Sequence, residues 1–466
     1  MNRYKGGFKS LENEIVINEL HTEGEIPSWL DGTLLRTGPA KFEVAQAQLK
    51  HWFDGFAMLH SFTFSSGKIA YRNKFLGSDA YKNAKKSGKI EYREFATDPC
   101  RAIFKNFFTL FSSDLTDNGN VNVTKIANEY LALTETPLPV SFDKRLLETK
   151  GHFKFEDDLK GQITTAHPHF DLETKEGFNY ITKFGSRSYY QIYKIAEGSK
   201  KRQLVAKIPT NSPSYMHSFG LTKNYVILLE WPLMVNSLSL VFGSKPFIEN
   251  YKWKPETGLK FNFIDRTTGK VTTLTSSDVY FAFHHINAFE QDEQIIIDAC
   301  AYQDPSIIKA LYLEKLLSDL PSLPKPHFRR FTCNLNSQLI SSEQIIEEPI
   351  ELPRLNYGQY NTKPYNFAYG ASFSQEGDFL NQLVKVDIQN KRAVTWHEDG
   401  LYPGEPVFIA HPNATREDEG IILSVALDAK QEKSKLIILN AQTFKELGRA
   451  FLPHVVPFGF HGNFYK

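Results

Sequence analysis

The stretch TTAHPHFD at residues 164–171 places a histidine among small and aromatic residues, and three distant stretches do the same. They are SYMHSFG at 214–220, FHHINAFE at 283–290 and PFGFHGNF at 457–464. One helix or one hairpin cannot bring together residues that lie so far apart in the chain. The spacing therefore predicts a ring-shaped fold in which successive sheets each direct one side chain toward a common axis.

The sequence between these stretches is typical of short β-strands separated by turns. Several runs are continuously apolar, as expected of buried strands; examples are YVILLEW at 225–231, EQIIIDACAY at 293–302 and EGIILSVAL at 419–427. Turn signals such as Ser66-Gly67 separate the runs. This all-β pattern favours a β-propeller over a β-sandwich. No low-complexity linker interrupts it, so we expect residues 1–466 to form a single domain.

The composition excludes several classes of function. Lys+Arg (54) and Asp+Glu (53) nearly cancel, so no nucleic-acid partner is expected. Cys100, Cys300 and Cys333 are widely spaced, which argues against a disulfide scaffold or a thiolate zinc site and predicts a cytoplasmic protein. The first residues lack the pattern of a signal peptide, and no apolar run reaches about 18 residues, so no spanning helix is expected.

Two segments depart from the β pattern. Residues 100–113 interleave aromatic residues with Arg101 and Lys105, and residues 232–247 are unusually apolar for an exposed loop. Each is interpretable as a core element that covers the ring, or as a surface that dips into a lipid interface. The sequence leaves both interpretations open.

His167, His217, His284 and His461 are the candidate metal ligands within the four histidine stretches. A single histidine in a β-rich chain is more often a hydrogen-bonded structural residue, and the chain has 14 histidines in all. The local sequence is what distinguishes these four. Imidazole ligands suit iron, zinc, copper and nickel, and four neutral imidazoles leave the full charge on the metal.

Further motifs occur in one order along nearly the whole chain. They are RTGPAKFEV (36–44), HWFDGFAMLHSFTF (51–64), TDPCRAIFKNFF (97–108), TDNGNVNVTK (116–125), IELPRLNY (350–357), YPGEPVF (402–408) and FHGNFY (460–465). Together with the histidine stretches, they resemble the carotenoid cleavage oxygenase family. Within it, the chain looks most similar to the animal carotene 15,15′-oxygenase and retinoid isomerase branch.

This resemblance implies a seven-bladed β-propeller with a helical or loop cap over the metal-bearing face. A single non-haem Fe(2+) would lie on the axis, bound by His167, His217, His284 and His461. TAHPHFD matches the family pattern with its first histidine, so His169 is a bystander, and FHHIN matches with His284 rather than His285. A slip of one residue would exchange that last pair.

The resemblance also assigns three carboxylates behind the imidazoles. Glu135 in LTETP, Glu351 in IELPR and Glu405 in GEPVF match the family's second-shell glutamates. A metal-bound histidine commonly donates its other ring N–H to a carboxylate. The alternative for a glutamate in such apolar surroundings is a buried salt bridge.

The activity implied by the resemblance is Fe(2+)- and O2-dependent dioxygenation, which splits a conjugated C=C bond into two carbonyls. The favoured substrate is β-carotene, cut at the central 15,15′ bond to give retinal. The alternatives are an apocarotenoid cut at another double bond, a hydroxystilbene, isomerisation without O2, or a propeller that binds retinoids or carotenoids without catalysis. No GxGxxG or CxxCH motif indicates a nicotinamide or haem partner.

Phe53, Phe95 and Thr134 match family positions that line the substrate cleft. Stilbene-cleaving relatives have a lysine where this chain has Thr134, which shifts the expected substrate toward carotenoids or apocarotenoids. Because such substrates dissolve in lipid, we expect a cytoplasmic protein associated peripherally with a membrane surface through residues 100–113 and 232–247.

Overall fold

Seven antiparallel sheets dominate the computed structural model, which describes residues 3–97, 115–242, 245–319, 321–374 and 378–466. Each sheet has four to six strands, and two small two-stranded sheets accompany them. Neighbouring sheets contact one another in sequence order around a ring. The prediction of an all-β, seven-bladed propeller is confirmed.

The blades are numbered here in chain order. Blade 1 comprises Val16–Ile17, Gly32–Lys41, Phe56–Ser65, Lys68–Phe75 and Gly462–Tyr465. Blade 2 comprises Asn122–Ile126, Glu129–Leu133, Val140–Phe142 and Thr149–His152. Blade 3 comprises Ile163–Thr164, His169–Asp171, Glu176–Lys183, Ser188–Ala196 and Arg202–Thr210.

Blades 4 to 7 continue the same arrangement. Blade 4 comprises Gly220–Leu221, Tyr225–Glu230, Leu259–Asp265 and Val271–Ser276, and blade 5 comprises Phe281–Gln291, Gln294–Tyr302, His327–Asn334 and Leu339–Pro349. Blade 6 comprises Glu351–Arg354, Phe367–Ser372, Gln382–Asp387 and Arg392–Trp396. Blade 7 comprises Thr22–Gly24, Leu401–Pro403, Val407–Ala410, Gly420–Asp428, Lys433–Asn440 and Glu446–Phe451.

The remaining described elements are short. The two-stranded sheets pair Glu43–Val44 with Ala47–Gln48 and Leu233–Met234 with Lys252–Trp253. The α-helices are Asp79–Ser87, Ser237–Phe242, Ser306–Ala310, Leu313–Leu316 and Tyr357–Tyr360, and the 3₁₀ helices are Arg3–Phe8, Trp52–Asp54, Ile248–Asn250 and Pro255–Thr257.

Both ends of the described chain are hydrogen-bonded into the ring. The strand Gly462–Tyr465 pairs with Gly32–Lys41 in blade 1, with Leu34 opposite Phe464. Thr22–Gly24 completes the outer edge of blade 7 beside Glu446–Phe451. The pairing of this last strand with blade 1 therefore fixes the position of His461, which immediately precedes it.

Apolar side chains fill the spaces between neighbouring blades. Phe289 of blade 5 and Val384 of blade 6 belong to one buried cluster, and Phe62 of blade 1 and Ile438 of blade 7 belong to another. Every residue of Gly420–Asp428 is buried, as its continuously apolar sequence predicts. Packing of this kind holds the inner ends of the blades in a fixed relation to the axis.

The structure describes most of one of the two atypical segments and none of the other. Residues 100–113 lie outside the described residues, as do 243 and 244. Within 232–247, the side chains of Leu233, Val235 and Leu240 are buried, whereas Leu238 is 59% exposed. No helix in the described ranges is long and apolar enough to cross a bilayer. The helical cap over the metal-bearing face stays a prediction.

Removing residues 462–466 while keeping His461 is expected to destabilise the ring, because the inner edge of blade 1 loses its last partner strand. Each lost backbone hydrogen bond contributes about 1 kcal/mol, so the free energy of unfolding should fall by a few kcal/mol. Thermal unfolding measures the effect, with deletion of the exposed Lys466 alone as the control. An unchanged unfolding midpoint in the longer truncation would contradict a closing role for this strand.

Candidate metal centre

The four histidines singled out in the sequence converge at the inner ends of four blades. His167 lies in blade 3 between its two short inner strands, and His217 precedes the first strand of blade 4. His284 lies within the first strand of blade 5, and His461 immediately precedes the strand that closes blade 1. One ring nitrogen from each lies within 4.8 Å of the others.

The spacing of these nitrogens fits a single bound ion. The Nε2 atoms of His167 and His217 are 3.0 Å apart, and those of His284 and His461 are 3.1 Å apart. Two imidazole nitrogens at about 2.1 Å from a metal and at right angles would be separated by about 3 Å. The four nitrogens can therefore act as ligands of one metal.

Two of the four imidazoles, those of His167 and His461, have pKa values that favour the uncharged form that a ligand needs. Burial, together with the three neighbouring imidazoles, holds the pKa of His167 well below its ordinary value. Burial likewise lowers the pKa of His461 to about 4, although the adjacent Glu405 acts in the opposite direction. Neutral rings present lone pairs to a cation without first having to lose a proton.

Three of the four rings donate their Nδ1–H to a buried or largely buried carboxylate. The distances are 2.7 Å from His217 to Glu135, 2.5 Å from His284 to Glu351 and 2.7 Å from His461 to Glu405. Each such bond places the proton on Nδ1 and leaves the Nε2 lone pair facing the centre. The structure thus brings all three glutamates named from the sequence to the backs of the imidazoles.

Sequence reasoning missed the hydroxyl groups that hold two of these glutamates. Tyr215 donates to both oxygens of Glu135, at 3.0 and 3.1 Å, and Tyr302 donates to Glu351 at 3.1 Å. Tyr215 lies two residues before His217 in SYMHSFG, so its position offered a signal. Tyr302 belongs to another strand and offered none.

Glu351 and Glu405 are held as anions despite their burial. Burial alone would raise the pKa of Glu351, but His284 and the hydrogen bonds that Glu351 accepts outweigh it, and the net pKa lies below the ordinary value. Glu405 behaves in the same way, with Arg354 and His461 opposing burial and lowering its pKa to about 2. Ionised carboxylates offset part of the charge of a metal cation.

A local irregularity in blade 5 separates the two adjacent histidines of FHHIN. The pairing of this strand with Gln294–Tyr302 shifts register on either side of His285. His284 consequently faces the cluster, whereas Nδ1 of His285 lies 2.7 Å from the Ser218 hydroxyl. In TAHPHFD, His169 lies 3.0 Å from both the Phe219 carbonyl and the Tyr357 hydroxyl. Both nitrogens of His169 and Nδ1 of His285 therefore have protein partners, whereas Nε2 of His285 is buried without one among the described residues.

An apolar cavity of about 620 Å³ adjoins three of the imidazoles. It is lined by aromatic and aliphatic side chains together with ring edges of the cluster: Trp52, Phe53, Val121, His217, Phe283, His284, Tyr302, Ile307, Leu311, Leu323, Leu352, Phe373, Phe379, Leu380, Phe460 and His461, with Glu351 behind. Such a lining suits a hydrocarbon ligand that makes few hydrogen bonds.

The three residues named for the substrate cleft have different positions. Phe53 lines the cavity, with its ring centroid 6.3 Å from that of His217. Phe95 packs behind Phe53, with their ring centroids 5.2 Å apart. Thr134 lines a separate cavity between blades 2 and 3. Its influence on substrate choice stays a prediction.

Phe53 is fixed by its backbone. It lies in the 3₁₀ helix Trp52–Asp54, where its N–H donates to Nδ1 of His51 at 3.1 Å and its carbonyl accepts from Asn120 at 2.8 Å. His51 in turn donates from Nε2 to the carbonyl of Ile308 at 2.9 Å. The ring beside the imidazoles is therefore held rigidly.

A family profile described as "RPE65: Retinal pigment epithelial membrane protein" matches residues 8–466. The chain belongs to this carotenoid oxygenase family. The carotenoid-cleaving dioxygenase, mitochondrial, of Macaca fascicularis is 35% identical over 95% of this chain and 90% of its own length. The β,β-carotene 15,15′-dioxygenase of Gallus gallus is 34% identical over 95% of this chain and 94% of its own length.

Solved structures of the family share the fold throughout. A variant of the Synechocystis apocarotenoid oxygenase superimposes with a TM-score of 0.88 at 25% identity, covering 100% of this chain and 98% of that one. A cobalt-substituted form of the same protein gives a TM-score of 0.88 at 26% identity with the same coverage. The family resemblance inferred from the sequence motifs is confirmed.

Replacing Glu351 by Gln should weaken metal retention about 10–100-fold, because the imidazole of His284 loses its anionic hydrogen-bond partner. Competition with a chelator, followed by metal analysis, measures the change. Glu230→Gln provides the matched control, because Glu230 is also a buried, hydrogen-bonded carboxylate but contacts Tyr190 and Asn262. Equal metal retention in Glu351→Gln and Glu230→Gln would show that Glu351 does not support metal binding.

Proposed function

We propose that this chain is an Fe(2+)- and O2-dependent dioxygenase that cleaves β-carotene at its central 15,15′ double bond. One C=C bond breaks and two C=O bonds form, so both oxygen atoms of O2 enter the two retinal products and no external reductant is needed. The observation that carries the proposal is the convergence of four imidazoles beside a cavity lined by Phe53, Phe283 and Phe460.

The chemistry of the donors supports iron. Neutral imidazoles suit Fe, Zn, Cu and Ni, and a bound Fe(2+) would supply the O2 chemistry that side chains cannot. The related Synechocystis structure described as cobalt-substituted supports a metal position in this fold. We assign His167, His217, His284 and His461 as the ligands.

The remaining residues bind and orient the substrate. Rings such as Phe53 and Phe283 provide flat apolar faces for a conjugated chain and exclude water from the reacting bond. Glu135, Glu351 and Glu405 act through the imidazoles by holding each proton on Nδ1. No side-chain acid or base is required at the scissile bond, because the cleavage balances without proton transfer.

Two relatives guide the choice of scissile bond. Central cleavage is favoured by the name of the Gallus gallus relative, at 34% identity. Cleavage of an apocarotenoid at another double bond is the second candidate, because the solved Synechocystis relative is an apocarotenoid oxygenase. A hydroxystilbene is less favoured, because no lysine or arginine is among the described residues that line the cavity beside the imidazoles.

Incubating iron-loaded protein with β-carotene in detergent under ¹⁸O2 is expected to yield retinal as the sole aldehyde, with label in both product molecules. Chromatography and mass spectrometry give the product sizes and the label. Unequal aldehydes would instead support the apocarotenoid candidate, and tight binding without products would support a carotenoid-binding propeller. His167→Ala should abolish activity, whereas His397→Ala, a change at an exposed histidine outside the cluster, should not.

Replacing Phe53 by Ala should lower kcat/KM for β-carotene by about tenfold or more, because the cavity widens beside His217 and the reacting bond is held less firmly. Steady-state kinetics with iron analysis on the same sample separates this effect from loss of metal. Phe53→Leu, which retains apolar volume, should recover part of the activity. An unchanged kcat/KM in Phe53→Ala would show that Phe53 does not position the substrate.

We also propose that the protein is cytoplasmic and binds a membrane surface through residues 100–113 and 232–247. Carotenoids reside in lipid, and Leu238 of the second segment is 59% exposed. Leu238→Asp should reduce sedimentation with phosphatidylcholine vesicles by about threefold or more, because an apolar contact is replaced by a charge. Leu339→Asp is the control, because Leu339 is 69% exposed in blade 5. Equal sedimentation of the two variants would contradict this docking surface.

A further inference from the structure

A small cavity between blades 1 and 7 lies on the side of Glu405 away from the imidazoles. It contains about 380 Å³ of unfilled space and is lined by Arg36, Thr37, Gly38, His60, Gly404, Val425, Leu427, Val456, Pro457, Phe458 and Gly459. It shares no residue with the cavity beside the metal centre. Arg36 is its one cationic lining residue.

The guanidinium of Arg36 is buried and incompletely paired. Its side chain is 6% exposed, and Nη2 donates to the Phe460 carbonyl at 3.3 Å. Among the described residues, Nη1 has no hydrogen-bond acceptor, and Oε2 of Glu405 lies 3.8 Å from it. A buried N–H of a cation without an acceptor is costly, so this group has an unmet requirement for one.

Glu405 does not satisfy that requirement, because its Oε2 lies 3.8 Å from Nη1, which is too far for a hydrogen bond. Oε1 accepts from His461 at 2.7 Å and lies 2.9 Å from Nε of Arg354, and Oε2 accepts from the Gly462 N–H at 2.8 Å. Two guanidiniums therefore share one carboxylate that is completely buried. This leaves one excess positive charge around the cavity.

The other polar groups near Arg36 add no negative charge. His60 is buried and neutral, because burial, followed by His454 and Arg36, lowers its pKa to about 3. Burial also lowers the pKa of Arg36, and Arg354 adds to that effect against the opposing influence of Glu405. The cation is thus destabilised where it lies, and a compact anion would relieve it.

The walls leave room next to the guanidinium because three of the lining residues are glycines. A Cβ at Gly404 would lie 3.8 Å from Nη2 of Arg36, and one at Gly459 would lie 3.9 Å from it. Both glycines have ordinary negative backbone φ angles, so the backbone conformation itself does not require glycine. They allow close approach of the backbone, since the nearest atoms to the added Cβ atoms are the carbonyl oxygens of Val425 and Thr37 at 3.3 Å, and they leave the Nη2 side of the guanidinium uncovered.

We propose that this cavity is a binding site for a small monovalent anion of the chloride class, held by the incompletely paired guanidinium of Arg36. A compact ion fits the space and neutralises the excess charge, whereas the apolar remainder of the wall offers nothing to a larger polar ligand. The proposal rests on Arg36, Arg354 and Glu405, and so is independent of which metal the imidazoles bind.

The position of the site couples it to the metal centre. Arg36 lies 3.8 Å from the carboxylate that fixes the His461 ring, so an anion that attracts the guanidinium changes the electrostatic surroundings of Glu405. Because coupling between two binding sites is reciprocal, the metal content of the protein should also alter the affinity for the anion.

Crystals of the metal-loaded protein grown with sodium bromide in place of chloride provide the direct test. An anomalous peak beside Nη1 of Arg36 is expected in the wild type and should be absent in Arg36→Gln. Ordered water in place of bromide would overturn the proposal. A peak seen only at molar bromide would mark an adventitious ion and would overturn it as well.

Thermal unfolding in chloride against gluconate at equal ionic strength tests the site in solution. Chloride should raise the unfolding midpoint by mass action. Gly459→Ala keeps Arg36 but narrows the cavity, so its half-saturating chloride concentration should rise about tenfold, as expected when one charge-assisted hydrogen bond is impaired. Gly358→Ala is the matched control, because a Cβ there meets nothing within 4 Å. Equal chloride responses in the wild type, Gly459→Ala and Gly358→Ala would refute the site. This comparison holds even if Arg36→Gln fails to fold.

Discussion

The hydrogen bond from an imidazole Nδ1–H to a carboxylate behind it is the interaction on which this structure depends. It occurs three times, and each time it joins different blades: Glu351 of blade 6 holds His284 of blade 5, and Glu405 of blade 7 holds His461 at the edge of blade 1. These bonds connect the blades at the axis and set the tautomer of each ring. The same contacts therefore stabilise the ring and prepare the metal centre.

His167 differs from the other three histidines. Its backbone N–H donates to the Thr165 hydroxyl at 3.0 Å, and among the described residues no carboxylate hydrogen-bonds to its ring. Three carboxylates and a divalent metal would together carry a formal charge of −1, and the two guanidiniums beside Glu405 would bring that sum to +1. Arg36 and Arg354 place positive charge beside Glu405, where we propose that a small anion binds.

Much of the fold and of the candidate site could be predicted from local sequence. Continuously apolar runs such as residues 419–427 are buried strands, and the stretches around His167, His217 and His461 mark the inner ends of blades. Tyr302 and Arg36 could not be predicted in their observed roles, because their partners Glu351 and Glu405 lie in distant parts of the chain. The family motifs assigned Thr134 to the cleft beside the metal, whereas packing places it in a cavity between blades 2 and 3.

The sequence by itself determined which residue types and strand patterns were available: repeated short apolar strands, four histidines in similar settings, and three glutamates in apolar surroundings. Those properties are local, because strand formation and burial follow from nearby side chains. The tertiary structure alone decided that the shift of register around His285 turns His284 toward the axis, and that Arg36 lies beyond hydrogen-bonding distance of Glu405. The physical reason is that the first depends on a shift of about one residue in strand register, and the second on a gap about 1 Å longer than a hydrogen bond. Both are set by the packing of blades that lie far apart in the chain.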